Sequence, residues 1–126
     1  MNDQTAKADA GKLDLTLVPR QIIWDIAEVR EYGNKKYGDP DNWKTVEIPR
    51  YRAAAFRHLL AYLEDPHGVD EESGLLHLAH LACNIAFLCE LERDEMINQF
   101  RKVITDGFKL ARQRLSGKPE EDNHEL

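Results

Sequence analysis

The chain has 126 residues, 42% of them apolar and 32% charged, an ordinary globular balance too short for two independent cores. No apolar run approaches the roughly 18 residues that span a bilayer, and Met1 to Lys12 lacks a signal peptide's apolar stretch, so no membrane partner and a cytoplasmic setting are expected. Half of the net charge of -6 lies in residues 117–126, where Glu120, Glu121, Asp122 and Glu125 face Lys118 alone; the mildly acidic remainder lacks the basic stripe of a duplex nucleic-acid binder.

Residues 1–11 and 117–126 are polar and without periodicity, which predicts a disordered N-terminal tail and a disordered acidic C-terminal tail around one domain over 12–116. Pro19 fits a first helical turn. Ile22, Ile26, Val29 and Gly33 then follow at helical spacing, predicting a helix over 19–37. Gly38, Asp39, Pro40, Asp41 and Asn42 break it, and Trp43 follows in a loop. Pro49 opens a second helix, carried by Tyr51, Ala54, Ala55, Leu59, Tyr62 and Leu63 until Asp65-Pro66-His67-Gly68. Asp70 has the character of an N-cap, with Glu71 and Glu72 favoured by the helix dipole, so a third helix is expected over 71–92. It is apolar nearly all round after Leu75 and belongs at the centre of the fold. Asp94 restarts or continues the chain into a fourth helix with the stripe Ile97, Phe100, Val103, Ile104, Phe108, Ala111 and Leu115, ending near Ser116. Strand-like alternation is confined to Leu13–Val18, and no internal repeat is present. The expected fold class is all-α, an antiparallel bundle of four or five helices. Cys83 and Cys89 point in different directions on one helix and read as small buried hydrophobes in a reduced compartment.

The informative residues are polar ones inside apolar helices. His77, His80 and Asn84 share a face of the third helix, and Ser73 extends it; each needs a partner if buried. Glu28 and Glu31 share a face of the first helix and can hold a divalent cation through hard oxygen donors, or form a solvated face. Arg57 and His58 lie on the second helix, where a guanidinium can clamp phosphate or serve in an ordinary ion pair. Trp43 can stack on a base or cap one end of the bundle. No nucleophile triad, glycine-rich phosphate loop or zinc-spaced cysteine pair is present.

Taken in order, Glu28-Val29-Arg30-Glu31-Tyr32-Gly33, Lys36-Tyr37-Gly38, Asn42-Trp43, Arg57-His58-Leu59, Asp70, Glu72-Ser73-Gly74 and His77 through Asn84 resemble the dATP/dGTP diphosphohydrolase family of phages and bacteria, over residues 12–92. More distantly the chain is similar to the MazG-like all-α nucleoside triphosphate pyrophosphatases, whose Glu-x-x-Glu helix faces a Glu-x-x-Asp helix around magnesium. Glu28-x-x-Glu31 matches the first half of that pattern. His77, His80 and Asn84 depart from the second half and leave the number of metal ions open.

The resemblance implies a MazG-like bundle and a metal-dependent hydrolysis of purine deoxynucleoside triphosphates to monophosphate and pyrophosphate, with Mg2+ or Mn2+. It implies Glu28, Glu31, Asn84 and Asp70 as metal ligands, with Glu28, Glu31 and His80 catalytic. Lys36, Trp43, Arg57, His58 and His77 are then substrate-binding, and the chain is a homo-oligomer, dimer or tetramer. Two alternatives stay open: a non-catalytic helical interaction module, and a phosphohydrolase of another nucleotide.

Overall fold

The structure, a computed structural model, describes residues 11–117; apart from Gly11 and Gly117, the two expected tails lie outside the described residues. It is all-α, with three α-helices and no strand among those residues: α1 (Gln21–Tyr37), α2 (Ile48–Glu64) and α3 (His77–Leu115). Two short 3-10 turns, Leu15–Leu17 and Asn42–Thr45, accompany them, the first where strand-like alternation stood in the sequence. None of these helices is long and apolar enough to cross a membrane.

The first two helices end where the chain chemistry ends them. Gly38 stops α1 in the left-handed conformation (φ 70°), its amide donating to the Asn34 carbonyl at 2.8 Å. Pro49 sits in the first turn of α2, where its missing N–H is harmless, and Pro66 follows the α2 C-cap Asp65.

The expected bundle of four or five helices is corrected in two places. Residues 70–76 are a turn, not the start of a helix. The Asp70 amide donates to Leu75 O at 2.8 Å, the Gly74 amide to Asp70 O at 2.7 Å, and an isolated bridge joins Val69 to Leu76. Gly74 adopts φ 73°, which no helix can contain, so α3 begins only at His77. The second correction is the joining of the expected third and fourth helices into one of 39 residues. Between Leu75 and Asp106 the chain has neither glycine nor proline, and nothing at Asp94 ends the i to i−4 ladder.

α3 is the central element, packed against both α1 and α2. Its contact face repeats every four residues, through Ala79, Cys83 and Phe87, the first two fully buried. Phe87 stacks on Trp43 (centroids 4.8 Å apart) and tilts against Tyr51 (5.0 Å), whose hydroxyl donates to the Trp43 carbonyl at 2.6 Å. That contact ties the 39–46 loop to α2 and α3. Among the described residues, only Tyr51, Ala79 and Cys83 are buried hydrophobics. Cys89, expected inside, is exposed; six positions from Cys83, it points away from the contact face.

Candidate functional site

A cleft of about 410 Å³ opens between α1, the 39–46 loop, α2 and the N-terminal half of α3. From α1 it receives Val29, Arg30, Tyr32, Gly33 and Lys36. α2 contributes Arg50, Tyr51, Arg57 and His58, and α3 contributes His80, Cys83, Asn84 and Phe87. Asp70 and Glu72 reach it from the 70–74 turn. A volume of this size is within the range of small-molecule sites.

Its most structured corner is a cluster of histidines around Asp70. His58 of α2 and His77 at the start of α3 place their Nδ1 atoms 3.0 Å apart. With Asp70 they form a group whose donor atoms all lie within 4.8 Å of one another. Asp70 is held by its own turn, Oδ1 accepting the amides of Glu72 (3.1 Å) and Ser73 (3.0 Å). His80 lies flat on His58 (centroids 4.8 Å, 10° between planes), and its Nε2 meets Ser73 Oγ at 2.6 Å. Asn84 donates its side-chain amide to the His80 carbonyl at 3.0 Å.

Burial pushes the His58 pKa below its ordinary value, and the neighbouring His80 and His77 push it the same way. Burial also lowers His80, with Asp70 opposing. For Asp70 burial disfavours the charge, but the Ser73 hydrogen bonds and the imidazoles of His80 and His58 outweigh it and hold the carboxyl low. Within the cluster, Asp70 is therefore an anionic carboxylate beside two imidazoles, His58 and His80, that are biased towards the neutral, electron-donating form.

Four cations line the cleft: Arg30, Lys36, Arg50 and Arg57. Lys36 is ion-paired with Glu72, which raises the lysine pKa and lowers that of the carboxyl. Arg30 donates to the Pro40 carbonyl and lies over the Trp43 and Phe87 rings at 5.8 and 5.3 Å. Arg50 and Arg57 form no ion pair among the described residues.

Of the residues singled out in the sequence, Lys36, Trp43, Arg57, His58, Asp70, His80 and Asn84 line the cleft, and His77 joins it through His58 and Asp70. Glu28 and Glu31 do not. Both are exposed on α1, Glu28 one turn before the cleft-lining Tyr32, and neither is among the residues that line the cleft. His58 and His77 stand with Asp70 as a donor group, a pairing sequence spacing does not reveal. Arg30 and Arg50 were missed. For Arg30 the signal was available: a cation four residues after Ile26, on the apolar stripe of α1.

The family model described as dATP/dGTP diphosphohydrolase, N-terminal, matches residues 2–100. A dATP/dGTP diphosphohydrolase of Salmonella phage PMBT28 is 33% identical over 119 residues, covering 94% of this chain and 40% of the phage protein. The chain thus spans well under half the length of that relative. No solved structure matches. By the family match and the shared identity, the chain belongs to the family of dATP/dGTP diphosphohydrolase N-terminal regions.

Proposed function

We propose that the cleft binds a purine deoxynucleoside triphosphate and that, with a divalent metal ion, the protein hydrolyses it to the monophosphate and pyrophosphate. The observation that carries this is the convergence of Arg30, Lys36, Arg50 and Arg57 on a cleft that also holds Asp70, His58 and His80, in a chain of net charge -6. Cations gathered locally against the overall charge suit a polyanionic ligand. The name of the phage relative supports the substrate and the reaction.

In this reading Arg50 and Arg57 hold phosphate oxygens, and Lys36 exchanges Glu72 for phosphate. The Arg30-Trp43-Phe87 stack offers a flat wall for the base. His80 holds or moves a proton at Nε2, where Ser73 fixes the ring. A bound divalent ion supplies charge neutralisation at phosphate and acidifies a coordinated water. Glu28, one turn before the cleft-lining Tyr32, and Glu31 supply carboxylate oxygens to that ion. The proposal includes an assembly with a second copy of the chain, because α3 leaves a long apolar stripe uncovered.

The test is incubation with each deoxynucleoside and ribonucleoside triphosphate, with Mg2+ or Mn2+ and with chelator, followed by separation of products. Monophosphate and pyrophosphate from dATP or dGTP, only with metal, is the expected result; turnover of other nucleotides alone reassigns the substrate. Glu28→Gln divides the site question, since full activity in that variant removes Glu28 from the chemistry. A second reading is favoured by the 40% coverage of the relative: a nucleotide-binding module without turnover. It is recognised by a melting temperature raised by nucleotide with no product formed.

A further inference from the structure

We infer that His58, Asp70 and His77 form a site for a borderline transition-metal ion, of the Mn2+, Fe2+, Co2+ or Zn2+ class, in preference to Mg2+. The first argument is donor chemistry. Two imidazole nitrogens and one carboxylate oxygen suit borderline divalent ions and leave further coordination positions open, whereas Mg2+ takes oxygen donors and parts reluctantly with its waters. The second is spacing. Nitrogen ligands at about 2.1 Å from one ion, at a coordination angle between 90° and the tetrahedral value, lie roughly 3.0 to 3.4 Å apart. His58 Nδ1 and His77 Nδ1 are 3.0 Å apart.

The third argument is support. Asp70 Oδ1 accepts two backbone amides, which fix the carboxylate within 4.8 Å of the two imidazole donors. The His58 ring is held flat by His80, and His80 is held by Ser73, so the donors are oriented by a second layer of contacts as metal ligands generally are. The three ligands come from α2, the 70–74 turn and the first residue of α3, so the ion ties together segments that otherwise share few buried side chains. His58 and Asp70 also line the cleft, as does Arg57, whose guanidinium has no ion pair among the described residues.

The inference stands on donor atoms alone, and its test contains no nucleotide, so it fails or survives independently of the hydrolase reading. Untagged protein freed of metal by chelator is titrated with Co2+, followed by visible absorption, and with Zn2+, Mn2+ and Mg2+ by calorimetry. One equivalent of Co2+ or Zn2+ is expected to bind at least about 100-fold more tightly than Mg2+, with a rise in melting temperature. His58→Ala, Asp70→Asn and His77→Ala are each expected to weaken binding at least tenfold, while His67→Ala, in the exposed 65–68 turn, leaves it unchanged. Circular dichroism of the metal-free variants separates lost ligation from lost fold; His77→Gln is the milder variant if alanine unfolds the start of α3. Equal affinity for Mg2+, no stoichiometric Co2+ or Zn2+ binding, or binding indifferent to all three substitutions in folded protein overturns the inference.

Discussion

Cys83 shows how one residue reports on the packing around it. It is 2% exposed on the face where α3 meets its neighbours, and burial pushes its thiol from 9.0 up to about 11, with Arg30 pulling the other way. Only the thiolate is nucleophilic, so Cys83 is inert at pH 8 and Cys89, exposed on the same helix, is the reactive thiol. A disulfide-exchange reagent is expected to titrate one thiol in the native protein and two in denaturant; two fast native thiols would mean that the α3 contact face opens. The same shift fixes a pH window. The folded state keeps the proton to a higher pH than the unfolded chain, so this contribution to stability is intact below about 9 and lost as pH rises through about 11, on the order of 2 kcal/mol in all. Wild type should lose more melting temperature than Cys83→Ala between pH 8 and 10.5.

At the scale of elements, Gly74 decides where α3 begins and how Asp70 is presented. Its φ of 73° is left-handed, and a Cβ added there meets nothing within 4 Å, so the penalty for a side chain is purely conformational. Gly74→Ala is expected to cost about 1 kcal/mol, a fall of roughly 5 °C in melting temperature, and to weaken metal binding at Asp70. Unchanged stability by thermal melt would show that the turn relaxes. This is also where sequence legibility ran out. α1 and α2 were readable because Gly38, Pro40, Pro49 and Pro66 mark their ends locally. Asp70-Glu71-Glu72 carries a good helix-start signal, but the turn is closed by Leu75 and Leu76 pairing back to Asp70 and Val69, contacts no window of propensity contains. The cleft residues were legible as types, since a histidine or asparagine on an apolar helix demands a partner. Their grouping was not: His58 meets His77 only because α2 packs on α3, and Arg30 lines the cleft because it lies on the α1 stripe of Ile26, Val29 and Gly33.

For the whole molecule the governing fact is exposed area. The chain exposes 11075 Å², against about 6,900 Å² for a compact monomer of 14.5 kDa. Even if the residues outside the described range are counted at an unfolded chain's full exposure, about 3,000 Å², roughly 1,100 Å² of excess remains, above the about 800 Å² that each partner gives to a standard interface. The uncovered surface is concentrated on α3. At about 1.5 Å per residue its 39 residues outrun the 17-residue α1 and α2 by some 30 Å, and Ile97, Phe100, Ile104 and Phe108 are 41 to 69% exposed along that overhang. A second copy laid antiparallel about Ile104 satisfies both surface types. Phe100 of one copy meets Phe108 of the other, Ile97 meets Ala111 and Asp94 meets Arg114, whereas a parallel pair sets each charge against itself. Light scattering is expected to give twice 14.5 kDa for wild type and a single chain for Phe100→Glu/Phe108→Glu. Asp94→Arg alone should weaken association roughly tenfold, through two exposed pairs made repulsive, and Asp94→Arg/Arg114→Asp should restore it. A wild-type monomer would leave the α3 stripe to a different partner, and a double swap that fails to rescue would exclude the antiparallel register.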